Sequence, residues 1–167
     1  MMNTTTAMTV NFTLNGKPVQ ADIETHHTVL DVLRNSFALY GARESCGQGL
    51  CGCCTVIVDD KSVSGCLYLA AALEGSTVQT VEHLDADGKL NPLQQAFIEC
   101  GAFQCGFCTS GFLLMSQQLL ASNPDPTEAE IRNYLSGNLC RCAAYPEIIQ
   151  AVQLAANRMN SVKHEVL

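Results

Sequence analysis

Apolar and polar residues alternate at the start of the chain. Val10, Phe12 and Leu14 occupy every second position, and Val19, Ala21 and Ile23 do so again after Asn15-Gly16. A period of two on both sides of a two-residue Asn-Gly connection predicts a β-hairpin. Thr28 then precedes Val29, Val32, Leu33 and Phe37, whose spacing is helical, so a threonine-capped helix is expected. A glycine- and cysteine-rich loop follows, with strands expected around Thr55 to Val58 and Thr77 to Val81.

The second half changes period. Asn91-Pro92 offers a cap and a first-turn proline before Leu93, Ala96 and Phe97. Thr109 is expected to cap a helix over Phe112 to Leu120, and Thr127-x-x-Glu130 forms a capping box before Ile131, Tyr134 and Leu135. A fourth helix is expected from Pro146, because Ile148, Val152, Ala155 and Met159 recur on one face. A β-rich part therefore precedes four helices, with the boundary in the polar segment Glu82 to Lys89. Leu113, Leu114, Met115, Leu119 and Leu120 are expected in the helical core, and excess apolar surface there would be partner interface.

At 167 residues the chain is long enough for a sizeable core. Its 9 basic and 16 acidic side chains give a net charge of −7. No stretch gathers the lysines and arginines that a nucleic-acid backbone requires, which argues against nucleic-acid binding. No apolar run approaches the length of a membrane span. The first ten residues, MMNTTTAMTV, lack an apolar segment and paired arginines, so the chain is expected in a reducing cytoplasm.

Ten cysteines change that picture. In a reducing compartment such density favours metal or redox chemistry over disulfides. Five lie at 46, 51, 53, 54 and 66 and five at 100, 105, 108, 140 and 142, so one site per half is implied. Cys46, Cys51 and Cys54 have the C-x4-C-x2-C spacing of a plant-type [2Fe–2S] loop, which needs a fourth thiolate. Cys66 is the natural candidate, since a short hairpin around Asp59-Asp60 could return it to the loop. A cluster held by thiolates is anionic, and Gly47, Gly49 and Gly52 would let backbone N–H groups approach its sulfurs. Cys53 is expected to be a buried spare, and Cys100 a packed helical residue.

Cys105-x-x-Cys108 and Cys140-x-Cys142 form a second four-thiolate set, each pair at the start of an expected helix. Taken alone, that set suits a structural zinc about as well as iron. The neighbouring iron-type loop favours iron, and no thioredoxin-like βαβ pattern supports a thiol–disulfide role.

Three ordered motifs carry a family resemblance: Gly41-Ala-Arg-Glu-Ser-Cys-Gly-Gln-Gly-Leu-Cys-Gly-Cys-Cys-Thr-Val, Gln104-Cys-Gly-Phe-Cys-Thr-Ser-Gly111, and Gly137-Asn-Leu-Cys-Arg-Cys142. From Val10 to about Met159 the chain resembles the small iron–sulfur subunit of the molybdenum hydroxylases. This is the family of xanthine dehydrogenase, aldehyde oxidoreductase, CO dehydrogenase and the N-heteroaromatic hydroxylases. It departs from the family's usual alanine at Cys53, proline at Ser110, and Thr-Gly at Ala143-Ala144; no presumed ligand is lost.

The resemblance implies an α+β chain: a plant-type ferredoxin-like β-grasp domain over residues 1–84, then a four-helix bundle over 85–167. It implies two [2Fe–2S] clusters, one on Cys46, Cys51, Cys54 and Cys66, the other on Cys105, Cys108, Cys140 and Cys142. It also implies a large molybdopterin subunit and a medium FAD subunit in a heterotrimer or its dimer. Electrons would pass from molybdenum through the second cluster, then the first, to flavin. Gln104, through its amide, and Cys142 would lie against the pterin. The substrate would be small, with an N-heteroaromatic compound ahead of aldehydes, purines or CO; this chain would carry no substrate chemistry. A free-standing two-cluster carrier and a zinc-bound interaction module are the competing readings. Arg141 carries no assigned role, and His26, His27, His83 and His164 are expected to be ordinary surface residues.

Overall fold

The structure is a computed structural model that describes residues 7–85 and 88–165, with side chains as far as 161. Most of the N-terminal decapeptide, part of the expected boundary segment (Ala86 and Asp87) and the His164 side chain lie outside that description.

The alternating segments pair as read. Strands β1 (Ala7–Leu14) and β2 (Lys17–Glu24) run antiparallel, with Leu14 opposite Lys17. Asn15 and Gly16 between them both have positive φ, 51° and 79°, which the tight turn of a right-twisted hairpin requires. Helix α1 (Val29–Asn35) starts from a Thr28 capping box, in which Thr28 Oγ1 accepts from Asp31 N–H and the Asp31 carboxylate accepts from Thr28 N–H. Strands β3 (Thr55–Val58), β4 (Lys61–Ser64) and β5 (Thr77–Gln79) complete a five-stranded sheet in the order β2-β1-β5-β3-β4. Only β1 and β5 pair in parallel. The last strand is shorter than expected because Asn15 captures Thr80, its Oδ1 accepting from the Thr80 N–H at 2.9 Å, and the chain turns into a 3-10 helix at Val81–His83.

The second half contains α2 (Pro92–Glu99), α3 (Thr109–Ser122), α4 (Glu128–Tyr134) and α5 (Tyr145–Glu165). Capping boxes at Asn91 and Thr127 open α2 and α4. Thr109 does not cap α3. Cys108 occupies the cap position in an already helical conformation (φ −88°, ψ −8°), so Thr109 is the first helical residue and its hydroxyl is buried without a partner. Ile148, Val152 and Ala155 of α5 are buried as expected, whereas Met159 is 36% exposed. Leu113, Leu114, Leu119 and Leu120 are buried in the same helical core.

Two cores result. One lies between the sheet and α1, around Val10, Phe12, Val32, Leu33, Val56 and Val78. The other lies among the helices, around Phe97, Phe112, Leu114, Ile131 and Val152. Strand β3 joins them, because alternate side chains of a strand face opposite sides: Val56 and Val58 enter the first core, and Ile57 enters the second. No helix among the described residues is long and apolar enough to cross a membrane.

Candidate metal centres

The first thiol set is assembled by one loop and one hairpin. Cys46, Cys51 and Cys54 lie between α1 and β3, in a loop where Gly47, Gly49 and Gly52 all have positive φ. The turn Asp59-Asp60 then folds β4 back on β3 with Thr55 opposite Ser64. One residue beyond that register, Gly65 N–H donates to the Cys54 carbonyl at 3.1 Å. A Cβ on Gly65 would crowd that oxygen. The close approach places Cys66 beside Cys54, within hydrogen-bonding reach, as Cys46 is of Cys51.

The glycines act indirectly. Cys46 Sγ accepts from Gln48 N–H and Leu50 N–H, both at 3.4 Å, so the donors belong to the residues that follow Gly47 and Gly49. These N–H groups pull the Cys46 thiol down to about 7, stabilising its thiolate. Burial pushes Cys54 up to about 11, so its charged form needs a cation in the site.

The second set lies where two connections meet. Cys105 and Cys108 precede α3, and Cys140 and Cys142 precede α5. The thiols of Cys105 and Cys142 stand 3.5 Å apart, and Cys108 and Cys140 are within hydrogen-bonding reach. Cys105 is exposed and its thiol is lowered, first by the Phe107 N–H, then by Cys142 and, more weakly, by Arg43. Cys108 is pushed up to about 12 by burial. Gln104 Nε2 donates to the Cys142 carbonyl at 3.0 Å, so the exposed amide and Cys142 share one edge of the site. No sequence motif marks Tyr145, whose hydroxyl accepts from Cys140 N–H at 2.9 Å. An aromatic at the start of a helix resembles a core residue, and only the fold brings its oxygen to Cys140.

Each set therefore consists of two pairs of thiols, the donor arrangement suited to two irons with two thiolates each. The residues fit the group. Two cysteines remain, Cys53 and Cys100. Cys100 caps α2 against the helical core, and burial raises its thiol. Cys53 is buried, its S–H directed at the Cys51 carbonyl at 3.9 Å, and burial pushes its thiol up to about 12. Burial raises Cys53 as it does Cys54 and Cys108, and its thiol also lies within hydrogen-bonding reach of Cys51, so it is the C-x4-C-x2-C spacing that sets Cys53 aside.

The two loops interlock. Leu139 N–H donates to the Cys51 carbonyl at 2.9 Å, and Arg43 Nη1 donates to the Gly106 carbonyl at 2.7 Å. Buried Asn138 lies against Gly52. No periodic or spacing pattern in the sequence signals these contacts. Arg141 is exposed and makes no hydrogen bond among the described residues. The structure also gathers Glu24, His26 and His27, whose donor atoms lie within 4.8 Å of one another. His27 Nδ1 already accepts the Glu24 N–H at 3.2 Å, and His26 is exposed, in keeping with a surface role.

Known proteins resemble this chain in sequence and fold. The family model described as a 2Fe-2S iron-sulfur cluster binding domain matches residues 12–84, and that of a [2Fe-2S] binding domain matches residues 80–153. The nicotinate dehydrogenase small FeS subunit of Eubacterium barkeri is 45% identical over 90% of this chain and 96% of its own. The aldehyde oxidoreductase iron-sulfur-binding subunit PaoA of Escherichia coli (strain K12) is 38% identical, covering 92% of this chain and 74% of its own. A chain in the crystal structure of quinoline 2-oxidoreductase from Pseudomonas putida 86 superposes with a TM-score of 0.89 and 41% identity, over 93% of this chain and 97% of that one.

Proposed function

The chain belongs to the family of small iron–sulfur subunits of the molybdenum hydroxylases, and from that membership we propose that it is the electron-transfer subunit of a heteromeric enzyme with a molybdopterin-binding large subunit and an FAD-binding medium subunit. Cys46, Cys51, Cys54 and Cys66 hold one [2Fe–2S] cluster, and Cys105, Cys108, Cys140 and Cys142 hold the other. Bound there, a cluster accepts and releases single electrons. The chain carries electrons from the molybdenum side through its helical half, next through its sheet half, and on to flavin.

One observation carries this reading: two four-thiol sets lie on facing loops joined by the Leu139 to Cys51 hydrogen bond, so the chain offers a short covalent and hydrogen-bonded route between them. The separate cores support a β-grasp domain over 1–84 and a four-helix bundle over 85–167. Gln104 and Cys142, sharing one exposed edge, suit contact with the pterin. Exposed apolar residues flank both sites: Leu50 and Leu67 beside the first, Phe103, Phe107 and Leu139 beside the second. Such clustering suits two partner subunits in a heterotrimer or its dimer. The expected place of action is the cytoplasm.

An N-heteroaromatic ring is the preferred substrate class, in line with the nicotinate and quinoline enzymes among the relatives. The purified chain should hold roughly four irons and four labile sulfides in two clusters, and should co-purify with molybdenum- and flavin-containing chains. Zinc at either set, or a single cluster, would overturn the assignment. The assembled enzyme should hydroxylate a pyridine- or quinoline-type ring in preference to an aldehyde, a purine or CO.

A further inference from the structure

We propose that Arg43 is a positioning residue for electron transfer, fastening the Cys105–Cys108 loop to the first cysteine loop and favouring the reduced state of the second cluster. The inference rests on the two-cluster reading above. Arg43 is anchored in the first loop by its own backbone, whose N–H donates to the Cys53 carbonyl at 3.0 Å. Its side chain crosses to the helical half, where Nη1 donates to the Gly106 carbonyl at 2.7 Å. The guanidinium carbon also stands 5.5 Å from the centroid of the Phe107 ring, a cation–π contact. One side chain thus grips two consecutive residues between Cys105 and Cys108.

Apart from the two thiols at its ends and the Phe107 N–H bonded to Cys105, the segment is open. Gly106 has φ +76°, and nothing lies within 4 Å of the position its Cβ would take. Phe107 is 41% exposed. Among the described residues no other hydrogen bond reaches the Gly106 carbonyl. Lysine, a compact point charge on a flexible stem, would not reproduce a planar group that both donates and stacks.

The charge has a separate consequence. Reduction adds one electron, drawn from the molybdenum partner or from dithionite in a test, and breaks no bond. A four-thiolate site becomes more negative, and a nearby cation favours that state. The chain carries a net charge of −7, so a guanidinium held at this loop stands against the overall field.

Position and charge separate in two variants of the full chain. Arg43→Gln keeps a donor and removes the charge; Arg43→Lys keeps the charge and loses the planar grip. EPR-monitored redox titration reads both clusters, with the first as internal control. At the potential where the wild-type second cluster is half reduced, its reduced-to-oxidised ratio should fall about fivefold in Arg43→Gln. The same ratio should stay within about twofold of wild type in Arg43→Lys. The first cluster's ratio should hold in both variants. Amide hydrogen exchange at Phe107 and Cys108 should quicken in Arg43→Lys, where the grip is lost. An unchanged ratio in Arg43→Gln, equal shifts at both clusters, or unaltered exchange in Arg43→Lys would overturn the proposal. A wild-type chain with fewer than two clusters would instead overturn the reading beneath it, so the two failures are distinct.

Discussion

Gly111, in the first turn of α3, lies directly against the carbonyl oxygen of Gly52, with no space for a Cβ between them. The same carbonyl accepts from Thr55 Oγ1 at 2.8 Å and from Asn138 Nδ2 at 3.4 Å. Gly52 itself has φ +69°, and a Cβ there would strike Asn138. These contacts seat the helix that begins beside Cys108 on the loop that carries Cys51 and Cys54. Gly111→Ala should therefore destabilise the protein by about 1–3 kcal/mol, the usual cost of overpacking a rigid contact. A thermal scan should show a melting temperature lower by a few degrees, and the second cluster should lose iron before the first. An unchanged melt would mean that α3 can shift without cost.

Ligands and spares should separate cleanly in EPR spectra of the reduced chain. Replacing Cys51 or Cys108 by serine removes one member of a four-thiolate set and should abolish one signal each. Cys53→Ala and Cys100→Ala should keep both signals. Cys53 is the sharper case, since it lies next to Cys54, and loss of a signal in Cys53→Ala would reassign the first loop.

What the sequence made legible here is mostly local. Asn15-Gly16, Thr28, Asn91-Pro92 and the Thr127 capping box each act within a few residues, and each forms as its pattern predicts. The cysteine spacing likewise anticipates which thiols come together, Cys46 with Cys51 and Cys54 with Cys66, Cys105 with Cys142 and Cys108 with Cys140. One departure is local, the cap of α3 falling on Cys108 and not Thr109; the others arise where a distant residue intervenes. Strand β5 ends early because Asn15 binds Thr80, 65 residues away in sequence. The interlocking of the halves through Arg43, Gly52, Gly111 and Asn138 has no periodic signal. A glycine in the first turn of a helix, as at Gly111, hints at close packing. It does not say against what.

The pair Glu99 and Arg158 ties the end of α2 to α5 through two hydrogen bonds of 2.7 and 2.9 Å. Arg158 holds the Glu99 carboxyl below its ordinary value of 4.5. A carboxyl lowered on folding contributes stability above its unfolded pKa and loses it as pH falls through the folded value. Both groups are largely exposed, so the contribution is small and screened by salt. The melting temperature of Glu99→Gln should therefore lie slightly below wild type at neutral pH, and the gap should close as pH falls below 4.5. A gap that widened on acidification would contradict the assignment.

The order of carriers can be tested by breaking each set in the assembled enzyme. If the helical half faces the molybdenum subunit, Cys140→Ser should block reduction of flavin by substrate while leaving flavin reducible from its own side. It should also weaken pterin binding, since Cys142 is two residues away and its carbonyl holds the Gln104 amide. Cys46→Ser breaks the more remote set and should leave molybdenum and the second cluster reducible by substrate, with electrons stranded before the flavin. Rapid-mixing spectra that follow cluster bleaching and flavin reduction separately distinguish these outcomes. Both variants slow turnover, so turnover alone cannot order the carriers; only the location of the stranded electron does. Should Cys46→Ser still reduce flavin at the normal rate, electrons would bypass the sheet half, and the route from the helical half through the facing loops would be wrong even with both clusters in place.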